Sequence, residues 1–170
     1  EVMAGTLQEF QPAPHRCEVV AEVGGVRFVN DSKATNLGAV QKALLSMPAS
    51  APGEPNVWLI AGGRDKAFEH YEIGPLLSQR VKGAFLLGET RERLRAAWSL
   101  FTPCTLVDTL VEAVSEAARR AVAGDVVLLS PACSSFDQFH DYQHRGEVFR
   151  QAVQALPGPR SGPAHPNPGT

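Results

Sequence analysis

Four short apolar runs set the terms on which this chain can fold: Val57 to Ala61, Ala84 to Leu87, Cys104 to Val107 and Val126 to Leu129. A strand with one face in water alternates apolar and polar residues, whereas a strand covered on both faces is apolar at nearly every position. Segments with helical patterning, Leu37 to Leu45, Ile73 to Gln79, Thr90 to Ala97, Val111 to Ala121 and Gly146 to Leu156, fall before, between and after these runs. The alternation predicts an α/β, Rossmann-like fold, with a mainly parallel sheet of about six strands and helices on both faces.

Two further strands come first. Glu18 to Val23 and Val26 to Val29 are rich in β-branched residues and are separated by Gly24-Gly25, a dipeptide suited to a two-residue turn in which both positions take positive φ. An N-terminal β-hairpin is therefore expected. At 170 residues the chain is long enough for one domain with a real core.

The ends read differently. Met3, Leu7 and Phe10 stand at helical spacing and are followed by Pro12 and Pro14, so residues 1–15 read as the end of something upstream plus a linker. Glu1 occupies the first position, which suggests a piece of a longer protein, although processing would give the same start. The domain proper is expected over residues 16–156. Residues 157–170 carry five Pro and three Gly and are expected to be disordered.

Composition excludes several functions. Sixteen basic and eighteen acidic residues leave a net charge of -2 without a long basic run, which gives nucleic acid little to bind. No apolar stretch approaches the ~20 residues of a membrane span. Cys17, Cys104 and Cys133 are odd in number and widely spaced, as suits a reducing, cytoplasmic compartment better than a disulfide framework.

In an open α/β sheet ligands bind beyond the carboxyl ends of the strands, and four segments there carry chemistry. Asn30-Asp31-Ser32-Lys33-Ala34-Thr35-Asn36 packs an acid, a base and several hydroxyl and amide groups into a strand-to-helix step, where free backbone N–H groups favour anions. Asp31 could accept from a ribose hydroxyl and Lys33 could face phosphate or carboxylate; equally, Thr35 could cap the helix and Asp31 and Lys33 form an exposed ion pair. Ala61-Gly62-Gly63-Arg64-Asp65-Lys66 combines close backbone approach with two cations, although a plain turn fits as well. Leu87-Gly88-Glu89-Thr90 is the third.

The fourth, Ser130-Pro131-Ala132-Cys133-Ser134-Ser135-Phe136-Asp137, suits a carboxylate-binding turn. Covalent catalysis is disfavoured there, because the sharp Gly-x-Ser-x-Gly turn is missing and Cys133 has no basic neighbour in sequence. No Gly-x-x-x-x-Gly-Lys loop occurs. The histidines lack metal-ligand spacing, His140 and His144 being four apart and placed to share a helix face, so no metal site is assigned.

As a set, these segments resemble the Mur ligases that build the peptide stem of peptidoglycan, over roughly residues 5 to 156. The string from Asn30 to Asn36 favours the D-glutamate-adding branch, since relatives that add other amino acids and the folylpolyglutamate synthases carry different strings there. Leu128-Leu129-Ser130-Pro131-Ala132-Cys133-Ser134-Ser135-Phe136-Asp137-Gln138-Phe139, then Arg145-Gly146, and Pro14-His15-Arg16 support the match. The resemblance implies a carboxy-terminal domain that presents the amino acid, following a central domain, with no self-sufficient catalytic residue of its own.

It further implies that Lys66, Ser135 and the Phe136 backbone hold the D-glutamate carboxylates, that Thr35 and Tyr142 shape that pocket, and that Asp31 holds the ATP ribose. Arg16 and Lys33 would lie beside the phosphates, Lys33 assisting. ATP, Mg2+ and UDP-N-acetylmuramoyl-L-alanine are the expected partners, the metal being held outside this chain, and a monomer is expected. Tyr142 stands where many relatives have Phe, and Ser134 where Ala is frequent. Two other readings are kept beside this one: a free-standing Rossmann-like module that senses a nucleotide or an acidic metabolite, and another ligase of the Mur or folylpolyglutamate type.

Overall fold

The computed structural model describes residues 13–64 and 70–158. The expectations for residues 1–12, for Asp65 and Lys66 and for the tail from Pro159 onward lie outside the described residues. Eleven elements follow in order: β1 (Glu18–Val23), β2 (Val26–Asn30), α1 (Leu37–Ser46), β3 (Val57–Gly62), α2 (Gly74–Arg80), β4 (Val81–Leu87), α3 (Arg91–Trp98), β5 (Cys104–Leu106), α4 (Leu110–Arg120), β6 (Val126–Leu129) and α5 (Tyr142–Gln154).

They build one six-stranded sheet in the order β1-β2-β6-β3-β4-β5. β1 runs antiparallel to β2, with its register shifted between Val19 and Ala21, and all other pairings are parallel. The hairpin turn falls at Gly24 and Gly25, whose φ values of 59° and 78° are ones that glycine adopts without a Cβ clash.

Alternate residues of the central strands serve opposite layers. Val57, Leu59 and Ala61 of β3, Ala84 and Leu86 of β4, and Val126 and Leu128 of β6 pack with Val40 and Leu44 of α1, Leu77 of α2 and Leu94 and Trp98 of α3. Ile60, Phe85, Leu87, Val127 and Leu129 face the other way, onto Leu110, Ala113 and Val114 of α4 and Phe149 and Val153 of α5. This two-sided burial is what the apolar runs demanded, and each large aliphatic side chain so buried contributes about 1.5 to 3 kcal/mol.

Several boundaries differ from the sequence reading. β4 begins at Val81 rather than Ala84, because Val81 pairs with Val57. α1 is capped by Asn36, whose Oδ1 accepts the Ala39 N–H at 2.9 Å, so Thr35 is not the cap. α5 starts at Tyr142, ahead of the expected Gly146, because Asp141 Oδ1 accepts the His144 N–H at 2.7 Å. His140 thus precedes the helix; its backbone N–H donates to His144 Nδ1 and the two rings stack at 4.9 Å.

Candidate active-site half at the strand ends

The turn from β2 into α1 leaves the sheet at its carboxyl edge. The Asp31 N–H still donates to the Leu129 carbonyl at 2.8 Å, which prolongs the ladder by one step and fixes the direction of the side chain. Asp31 is buried, yet its carboxylate is satisfied: Oδ1 accepts the Cys17 N–H at 3.1 Å and Oδ2 accepts the Ser130 hydroxyl at 2.8 Å. Burial pushes its pKa up from the ordinary value, and the bonds from Ser130 and Cys17 pull against that rise.

An open groove of about 430 Å³ begins here and runs along α1. Its floor is made of small residues, among them Ala34, Ala39 and Ala43, and Arg16, Lys33 and Lys42 ring it, with Asp31 the one acid in the lining. Cations in excess over a small-residue floor suit a ligand with a flat apolar part and a polyanionic part. Cys17 also lines it, and burial pushes this thiol up to about 11, well away from nucleophilic reactivity at neutral pH.

The connection from β6 to α5 forms the adjoining wall. Ala132 takes a positive φ of 64°, and its N–H donates to the Ala34 carbonyl at 3.0 Å, which ties this wall to the groove. The Gly62 N–H donates to the Pro131 carbonyl and the Arg64 N–H to the Ser134 carbonyl, both at 2.9 Å. Such proximity requires Gly63, since a Cβ there would stand 2.3 Å from the Ser134 oxygen. Ser135 is buried, and its carbonyl accepts the Phe139 N–H at 2.9 Å, whereas the Phe136 ring is 63% exposed.

Arg145, only 2% exposed, joins the two segments. Its Nε donates to Ser32 Oγ at 3.0 Å, Nη2 to the Ser32 carbonyl at 2.7 Å and Nη1 to the Cys133 carbonyl at 3.0 Å. Burial pulls the guanidinium down to about 10, so it is still a cation at neutral pH. His15 closes the far side: its carbonyl accepts the Lys33 N–H, its Nδ1 accepts from Asn30 Nδ2 at 3.0 Å, and its ring meets the Tyr142 ring edge-on. The Asn amide is the donor in that pair, so the imidazole proton sits on Nε2.

Arg16, Asp31 and Lys33 line one groove. Ser135, Phe136 and Tyr142 belong to the adjoining wall, and Lys33 Nζ lies 5.7 Å from the centre of the Tyr142 ring, a cation–π approach. Thr35 sits half-buried in the β2–α1 turn. Lys66 falls outside the described residues. The roles of His15, Asn30, Ser32 and Ser130 as the frame of the site were not read from sequence; Gly146 carried a clue, since a Cβ there would stand 2.1 Å from His15 Nδ1.

A second cavity, of about 340 Å³ at the ends of β4 and β5, is lined by Glu89, Arg91, Asp108 and Asp137. Three carboxylates, with Arg91 already paired to Asp108 at 2.9 Å, make it a poor host for a dianion. Among the described residues no group of three or more His, Cys, Asp or Glu side chains could hold a metal ion, and no helix is long and apolar enough to cross a membrane.

This doubly covered sheet, with a cationic groove at its carboxyl edge, has known counterparts. A family model described as the Mur ligase, glutamate ligase domain matches residues 15–133, and the chain belongs to that family. More particularly, it is 45% identical over 150 residues to a UDP-N-acetylmuramoylalanine--D-glutamate ligase of Geobacter metallireducens, covering 88% of this chain and 32% of the relative. It is 43% identical over 153 residues to the enzyme of the same name from Chlamydia felis, covering 90% and 35%.

The chain thus spans about a third of the length of the curated relatives it matches. Among solved structures, a MurF ligase from Thermotoga maritima in complex with ADP aligns with a TM-score of 0.56 at 20% identity, over 86% of this chain and 33% of that one. A bifunctional folylpolyglutamate synthase/dihydrofolate synthase from Yersinia pestis aligns with a TM-score of 0.59 at 17% identity, over 87% and 32%. At such identities these structures attest the fold alone.

Proposed function

We propose that this chain is the amino-acid-presenting carboxy-terminal domain of an ATP-dependent ligase that joins D-glutamate to UDP-N-acetylmuramoyl-L-alanine in peptidoglycan synthesis. The observation that carries the reading is the similarity, at 42% identity or more over nearly the whole chain, to enzymes bearing that activity in their names. The groove supports it, because its cations and its one well-anchored acid suit a nucleotide. Asp31 would hold the ribose, with Arg16 and Lys33 beside the phosphates.

The adjoining wall would hold the amino acid. D-glutamate is a dianion whose amine must be presented neutral, so hydroxyls, backbone N–H groups and cations are the right partners for its carboxylates. Ser135, the Phe136 backbone and Lys66 supply these, with Thr35 and Tyr142 shaping the pocket. ATP supplies a phosphoryl group that turns the alanine carboxylate into an acyl phosphate, and attack by the amine forms the amide and releases phosphate. The magnesium ligands would come from elsewhere in the enzyme, as would the contacts to the uridine nucleotide. Within this reading residues 16–156 are the domain, residues 1–15 lead into it from the central domain, and the complete protein works as a monomer in the cytoplasm.

The reading is tested by joining this chain to the remaining domains of such a ligase and measuring phosphate release. Release is expected only when ATP, UDP-N-acetylmuramoyl-L-alanine and D-glutamate are all present. Equal release with L-lysine in place of D-glutamate would overturn it.

A further inference from the structure

Ser32 lies between the two halves of the site without facing either. It is wholly buried, and each of its polar atoms is engaged inside the protein. Its N–H donates to Asn30 Oδ1 at 3.1 Å, its carbonyl accepts from Arg145 Nη2 at 2.7 Å, and its hydroxyl donates to the Tyr142 carbonyl at 2.7 Å while accepting from Arg145 Nε at 3.0 Å. The direction of the hydroxyl proton is unambiguous, because a guanidinium only donates and a carbonyl only accepts.

The connectivity reaches both ligand-facing groups. Ser32 is preceded by Asp31 and followed by Lys33, which line the groove. Through Tyr142 it holds the first residue of α5, and through Arg145 it is linked to the Cys133 carbonyl, two residues before Ser135. A buried network of this kind, with every member satisfied, fixes one arrangement; losing one member leaves several groups unpaired at once.

We infer that Ser32 is a positioning residue that holds the nucleotide rim and the amino-acid wall in one register, so that the two half-sites are tightened or loosened together. This rests on the ligase reading given above. In this reading Ser32 touches neither ligand, yet losing its hydroxyl loosens Arg145 and the start of α5, and with them the packing of the turn that carries Asp31 and Lys33 against the wall that carries Ser135 and Tyr142.

The test is steady-state kinetics of a complete ligase in which this chain supplies the carboxy-terminal domain, with Ser32→Ala compared with the parent. The Michaelis constants for ATP and for D-glutamate should rise together, each by roughly 5- to 20-fold, since the hydroxyl's two buried hydrogen bonds are lost and part of that loss reaches each half-site. The constant for UDP-N-acetylmuramoyl-L-alanine, bound by other domains, should stay within about twofold and serves as the internal control.

A lower melting temperature with all three constants unmoved would make Ser32 purely structural, and a rise for ATP alone would deny the coupling; either result overturns the inference. Should Ser32→Ala fail to melt cooperatively, Arg145→Lys, which keeps the cation but gives up the two-pronged grip on Ser32, is held to the same paired rise. A parent enzyme without D-glutamate-dependent phosphate release would overturn the ligase reading itself, whereas an active parent with unmoved variants overturns the coupling alone.

Discussion

The Ser130 hydroxyl donates to Asp31 Oδ2 at 2.8 Å, joining residues 99 positions apart at the ends of two neighbouring strands. The carboxylate it steadies is buried, with a pKa above the ordinary 3.8. The folded state therefore keeps a proton that the unfolded chain has already released, and this group's contribution to stability falls as pH climbs through the folded value. Asp31→Asn removes that titration. The melting temperature of the variant relative to the parent should improve from pH 4 to pH 7. Nucleotide binding should weaken in the same variant. A relative melting temperature that worsens over this range would refute the argument.

Gly63→Ala should be among the most disruptive single-methyl additions in the chain. Its φ is 151° and the new Cβ would meet the Ser134 carbonyl at 2.3 Å, so the β3 end and the β6–α5 wall would have to separate. A loss on the order of 3 kcal/mol is expected, read as a lower urea midpoint with an unchanged slope. Gly24→Ala is the control: φ is 59° but nothing lies within 4 Å of the added carbon, so the cost should be nearer 1 kcal/mol. Equal losses at the two positions would show that φ rather than the close approach sets the cost.

Cys17 and Cys104 share a thiol pKa pushed up to about 11 by burial, and both should react with iodoacetamide at pH 7.5 far more slowly than a free cysteine. Cys17 lines the groove and Cys104 does not. Saturating ADP should therefore slow alkylation of Cys17 further and leave Cys104 alone, as mass spectrometry of the digested protein would show. Equal effects at the two cysteines would move the nucleotide out of this groove.

Much of the fold was legible because burial on both faces of a sheet leaves so plain a mark. Val126 to Leu129 is apolar at every position, and in the structure all four residues are buried, alternately beneath α1–α3 and α4–α5. Gly24-Gly25 specified its turn by local sterics alone. The start of α5 is hidden in the sequence because Asp141 and Tyr142 lack an apolar rhythm, and the cap that decides the boundary is one hydrogen bond.

The residues of the candidate site stand out in the sequence as strand-end clusters, but the frame that holds them does not. Arg145 bonds Ser32 across 113 positions, and nothing local to either residue announces the other. The hydrogen bond between Asn30 and His15 is equally invisible before the chain is folded.

The two margins of the sheet carry a consequence of another kind. β5 is three residues long, and β1 is broken in register after Val19 and carries Glu18 and Glu22. Neither presents the long, flat, uncharged row of backbone donors and acceptors on which a second chain could template itself. Growth of the sheet from one molecule into the next is thus discouraged at both ends, which protects a strongly apolar parallel sheet from ordered aggregation.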